Sequence, residues 1–158
     1  MRKVTVMQKI TPFLWFDGKA EDAANFYVGI FRNSRVLTVN RQGKDGPAFS
    51  VTFNLDGQDF FALNGGPMFQ FTPAISFFIT CETQAEVDDF WGKLSKNGVQ
   101  DRCGWLRDKY GISWQVVPEL LPRLLGDKDP KKAQAAMSAM LTMSKIDMAA
   151  LQKAYDEA

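Results

Sequence analysis

The 158-residue chain contains no histidine. Histidine is the commonest general base near neutral pH and the commonest transition-metal ligand, so Ser-His and Cys-His nucleophiles and any His-ligated metal are excluded. Thiol chemistry falls to Cys81 and Cys103. Cys103 follows Arg102 and precedes Arg107, cations that favour a thiolate; the competing reading is a small buried residue. Asp101, Asp108, Glu82 and Glu86 have no spacing that marks an acid-base pair and read as turn, cap or solvated-face residues. Asn64-Gly65-Gly66-Pro67 has the glycine pair of a phosphate-binding loop, but Met68, Phe69 and Phe71 follow where a helix N-terminus would be needed, so a nucleotide is not expected.

The elements that would position these groups follow from periodicity. Ile10 to Phe16 is an apolar run ending at Asp17-Gly18, a buried strand and turn. Lys19 to Phe31 spaces Ala20, Ala23, Ala24, Tyr27 and Ile30 as an amphipathic helix ending near Asn33-Ser34. Strands are expected at 35–41, 48–55 and 58–63, the last two joined by Asp56-Gly57, a strong two-residue hairpin signal. The order then restarts. Ala74 to Cys81 is a second apolar strand, and Thr83 with Glu86 forms a capping box for a helix carrying Val87, Phe90, Trp91 and Leu94 up to Asn97-Gly98. Strands at 99–105 and 112–117 follow, separated by a turn at 108–111. Beyond Pro118 the pattern is helical: a short turn to Leu125, a helix opened by Asp129-Pro130 with a stripe of Ala136, Met137, Met140, Leu141 and Met143, and a last helix over 147–155. A methionine stripe at helical spacing reads as core or subunit contact.

The halves repeat. Phe26-Tyr27 matches Phe90-Trp91 and Asn33-Ser34 matches Asn97-Gly98 at one offset of 64 residues (91 − 27), which also lays 13–16 over 77–80. Two βαβββ modules are the simplest account, at about 9–66 and 73–118, with a helical extension over 119–158 in one α+β domain. Composition agrees with a folded protein: 46% hydrophobic and 23% charged residues, with 19 basic against 18 acidic side chains. That balance gives no footprint for nucleic acid or an anionic membrane. With no signal-like run in the first residues and no membrane span, reduced thiols and a cytoplasmic location are expected.

The stretches ITPFLWFDGKAEDAANFY (10–27), FALNGGP (61–67), CGWLRDKYGISWQVVP (103–118) and DPKKAQAAMSAMLTMSKIDMAAL (129–151) resemble the PhnB-like branch of the vicinal-oxygen-chelate superfamily, often labelled demethylubiquinone methyltransferase-like. The resemblance implies a cupped, mixed eight-stranded sheet whose concave face binds a small molecule. Superfamily enzymes generally hold a divalent metal inside that cup. The ligand positions fall here on Pro12, on Ala74 or Ser76, and on Gln115, none of which supplies an anionic or imidazole donor. No metal and no cofactor are therefore expected.

What the resemblance implies for a site is a cup lined by Leu14, Phe16, Ser76, Phe78, Ser113 and Gln115, with Asn64 and Trp105 at its edge. The Gln115 amide would either meet a ligand or bridge backbone groups, and Asn64 would either face the rim or hold its own turn. Trp15, Trp91 and Trp114 are expected in the core. The leading reading is a metal-free binding protein for an unidentified small molecule. Its alternatives are an enzyme of the same superfamily (lyase, isomerase or methyltransferase) and a dimeric interaction protein. A homodimer is expected, through the methionine stripe and little long-range charge repulsion.

Overall fold

The computed structural model describes residues 8–158. The stretch 1–7, with the two basic residues weighed against a signal peptide, lies outside the described residues. The chain divides into two compact units, one ending at Gln70 and the other running from Phe71 to Ala158. No helix among the described residues is long and apolar enough to cross a membrane.

The first unit is a βαβββ module: β1 (Phe13–Phe16), α1 (Ala20–Val28), β2 (Arg35–Arg41), β3 (Ala48–Leu55) and β4 (Gln58–Asn64). Its sheet has the order β1-β4-β3-β2, with β1 parallel to β4 and the other pairs antiparallel. The hairpin between β3 and β4 turns on Asp56 (φ 46°) and Gly57 (φ 94°), the two left-handed residues such a turn requires. That hairpin fixes the register, so Val51, Phe53, Phe60 and Ala62 share the face buried under α1. Tyr27 of α1 stacks on Phe53 (6.2 Å between centroids), and Phe53 on Phe60 (5.2 Å). β1 begins three residues later than Ile10, after Pro12, whose carbonyl accepts the Phe61 N–H at 2.9 Å.

The second unit repeats the plan with β5 (Ser76–Cys81), α2 (Gln84–Leu94), β6 (Val99–Gln100), β7 (Trp105–Arg107) and β8 (Ser113–Pro118), in the order β5-β8-β7-β6. Thr83 caps α2 by accepting the Glu86 N–H at 3.2 Å, while the Glu86 carboxylate accepts the Glu82 N–H at 2.7 Å. The single strand expected over 99–105 is two short ones. Cys103 (φ 59°) and Gly104 (φ 84°) are consecutive left-handed residues and cannot lie in a strand. The eight strands thus form two four-stranded mixed sheets, and the segment 65–75 between them, with Pro67 and Pro73, is turn and coil.

Three helices complete the second unit: α3 (Leu120–Leu125), α4 (Pro130–Met140) and α5 (Met148–Asp156). Asp129 and Asp147 cap the last two through side-chain oxygens, at 2.9 Å to the Lys131 N–H and 3.0 Å to the Ala150 N–H. Much of the methionine stripe packs inside its own unit. Met140, Met143 and Met148 lie against a buried cluster that includes Val117, Leu121, Leu124, Ile146 and Leu151. Of the residues offered as a subunit contact, Leu141 is the exposed one. Gln84 fastens this extension to α2, donating to the Ile146 carbonyl (3.0 Å) and accepting from the Met148 N–H (2.8 Å).

Candidate functional site

Each sheet has one face under its helix and one turned away from it. In the second unit the register sets Phe78, Gln115 and Trp105 in one cross-strand row and Ser76, Ser113 and Arg107 in the next. The alternating residues Leu106, Trp114 and Val116 are buried on the opposite face. All five residues expected from this module therefore share one face. Gln115 donates an amide N–H to the Ser76 hydroxyl at 3.0 Å, so its bridge across the sheet runs to a side chain of the neighbouring strand and not to backbone groups. Phe78 is 55% exposed, whereas Ser113 is 1% exposed and its Oγ has no hydrogen-bond partner. Arg107 is held by Asp101 at 3.4 Å.

The first unit corrects the expectation. Leu14 and Phe16, expected to line the ligand face, are 6% and 3% exposed and lie in the core under α1. Phe13, 61% exposed, and Trp15 take the other face. The cause is one residue. The β1–α1 turn is 17–19 and the β5–α2 turn is 82–83, so the offset of 64 that matches Tyr27 with Trp91 becomes 65 in the first strands (81 − 16). A slip of one residue moves every side chain to the opposite face. Phe13, not Leu14, is the counterpart of exposed Phe78, and Trp15 leaves the core for a T-shaped contact with Phe69 (5.1 Å) and a 2.9 Å bond to the Gly66 carbonyl.

Asn64 belongs to the helix side as well, paired with Phe16 across the sheet. Its carbonyl oxygen accepts the Ala20 N–H at 2.9 Å and its amide donates to the Ala48 carbonyl at 3.0 Å, tying the start of α1 to the sheet. Asn64→Ala strips a helix terminus of a partner and is expected to cost about 2 kcal/mol in urea melts while leaving turned-away-face chemistry unchanged.

Sequence reading missed the turned-away face of the first sheet, although the Asp56-Gly57 hairpin could have found it by fixing Thr52 against Phe61. A groove of about 730 Å³ lies there, lined by Thr11, Leu37, Thr38, Thr52, Asp59 and Phe61 among others. The ligand positions implied for a metal do not fit one. Pro12 has the parity of buried Leu14, Ala74 precedes β5, and Ser76 and Gln115 are neutral and bonded to each other. Among the described residues no three His, Cys, Asp or Glu side chains are grouped to hold an ion. Both cysteines are free; burial, with a contribution from Glu86, pushes the Cys81 thiol up to about 11, and Cys103 points at the Met140 carbonyl (3.7 Å).

A family model described as 3-demethylubiquinone-9 3-methyltransferase matches residues 8–117. The match ends before the helical extension, so it does not include the stretch 129–151 that also carried the resemblance. A putative 3-demethylubiquinone-9 3-methyltransferase, PhnB protein, from Bacillus cereus is 39% identical over 70% of this chain and 99% of its own, with a TM-score of 0.66. Protein PA1353 from Pseudomonas aeruginosa shares the fold at 16% identity, over 72% of this chain and 98% of its own, with a TM-score of 0.61. No curated protein matches.

Proposed function

We propose, for a chain that belongs to the 3-demethylubiquinone-9 3-methyltransferase family and to the vicinal-oxygen-chelate superfamily, that it binds a small molecule on its turned-away sheet faces and does so without a metal. The observation that carries this is the groove of about 730 Å³ on the first sheet, within the size range of small-molecule sites and lined by hydroxyl, amide and aromatic groups together with Arg35 and Asp59. The neutral Ser76–Gln115 pair supports the metal-independent half of the reading. Methyl transfer, named in the family description, is not part of the proposal. The two β-to-α turns, 17–19 and 82–83, contain one glycine, Gly18, and offer no glycine-rich cradle for a nucleotide-like methyl donor.

Two measurements test it. Titration with zinc, nickel and manganese ions should reveal no stoichiometric site; about one equivalent bound at micromolar affinity and lost in Gln115→Ala would refute metal independence. Amide and methyl NMR mapping of a general fragment set should move signals of Thr52 and Phe61 or of Phe78 and Gln115. Shifts confined to the helical surfaces would refute the site.

A further inference from the structure

The first sheet's turned-away face is divided along its strands. One cross-strand row runs Thr38, Thr52, Phe61, Phe13, and the next Asn40, Ser50, Leu63, Trp15. On the β2–β3 side every member is a neutral hydrogen-bonding group: the Thr38 and Thr52 hydroxyls are 2.6 Å apart, and the Asn40 amide donates to Ser50 at 3.0 Å. On the β4–β1 side every member is apolar, with the Phe13 and Phe61 rings 6.0 Å apart and inclined by 40°. The charges stand in the row beyond, at one end of the groove, where Arg35 and Asp59 both line it on either side of Asn54, and Asp59 is already bonded to the Asn54 amide at 2.7 Å.

Of the two protons on the Thr38–Thr52 pair one is used between them. The other, with the unused lone pairs, remains for a partner that can both donate and accept. Adjacent strands are about 5 Å apart, so hydroxyls and the Phe61 ring are offset by roughly 5 to 10 Å, the span of a two-ring compound. A ligand charge held over the Thr38–Thr52 pair and Phe61 would lose water among neutral groups, and the one charged row of the groove carries both signs, Arg35 and Asp59, so it favours neither an anion nor a cation. We infer that the groove takes an uncharged aromatic compound bearing hydroxyl groups on one edge, its ring on Phe61 beside Phe13 and its hydroxyls on Thr38 and Thr52.

This rests on the small-molecule reading above and specifies its chemistry. The test is calorimetric titration of the purified protein with naphthyl glucoside, methoxynaphthalene, which has no hydroxyl, naphthoate and glucose. Naphthyl glucoside should bind at least about tenfold more tightly than naphthoate or glucose, and the Thr38→Val, Thr52→Val double variant should lose about tenfold for the glucoside but under about twofold for methoxynaphthalene. Phe61→Ser should weaken naphthyl glucoside and methoxynaphthalene alike. Naphthoate binding as tightly as the glucoside, an unaffected double variant, or no glucoside binding each overturns the inference. None of these touches the binding reading itself, which stands or falls on the fragment mapping and the metal titration.

Discussion

Asp108→Ala is expected to lower the unfolding free energy by about 3–5 kcal/mol, because it leaves three donors in and around the core without an acceptor. The carboxylate, itself buried, accepts the Tyr110 N–H (2.8 Å) and the Ile112 N–H (3.1 Å) on one oxygen and the Trp114 indole N–H (2.9 Å) on the other. These bonds shape the 108–111 turn, close the Trp114 side of the sheet and deliver Ser113 and Gln115 to the opposite side. Asp108→Asn retains one acceptor oxygen and should lose about half as much. Urea melts with an unchanged slope decide the matter, and a loss below about 1 kcal/mol for the alanine variant would show that water replaces the carboxylate.

Phe16→Ala should cost about 3–5 kcal/mol, and Phe13→Ala, three residues away, less than about 0.5 kcal/mol. Phe16 is buried on the helix side of the sheet, in the same face as Leu14 and Ala62, and its truncation leaves a cavity there. Phe13 is on the opposite face, against Phe61 and solvent. The same denaturant melts report both. Equal losses, or the reverse order, would mean that β1 pairs with β4 one residue out of the described register.

How far such assignments could be read without coordinates depended on how local their causes are. The Asp56-Gly57 hairpin, the Thr83 cap and the Asp129-Pro130 helix start are set by residues within a few positions of each other, and all three are where the spacing put them. The family resemblance held over 8–117 for the same reason: its motifs are contiguous. The face of β1 was not legible. The strand is four residues long, too short to display its own alternation, so its parity had to be counted through a turn whose length differs between the modules. Asn64 was equally opaque, since its partners Ala20 and Ala48 are 44 and 16 residues away. In the second module the count through the turn did not matter, because Ser113, Trp114, Gln115 and Val116 alternate polar with apolar and the pairing of β5 with β8 carries Ser76 and Phe78 to the polar face. The methionine stripe was visible as apolar, but spacing alone does not tell which surface it covers, and its cover is Leu121, Leu124 and Ile146 of the same unit.

The Gln84 clasp has a consequence for the order in which the chain is made. Every strand and the helix of the first unit are complete once Asn64 has been synthesised, so that sheet can close while the rest of the chain is still being translated. The second unit cannot finish in the same way. The Gln84 side chain and the apolar surface of Val117 wait for Ile146, Met148 and Leu151, partners made 62 or more residues after Gln84. During that interval the nascent second sheet presents an uncovered apolar end, the kind of surface that chaperones bind.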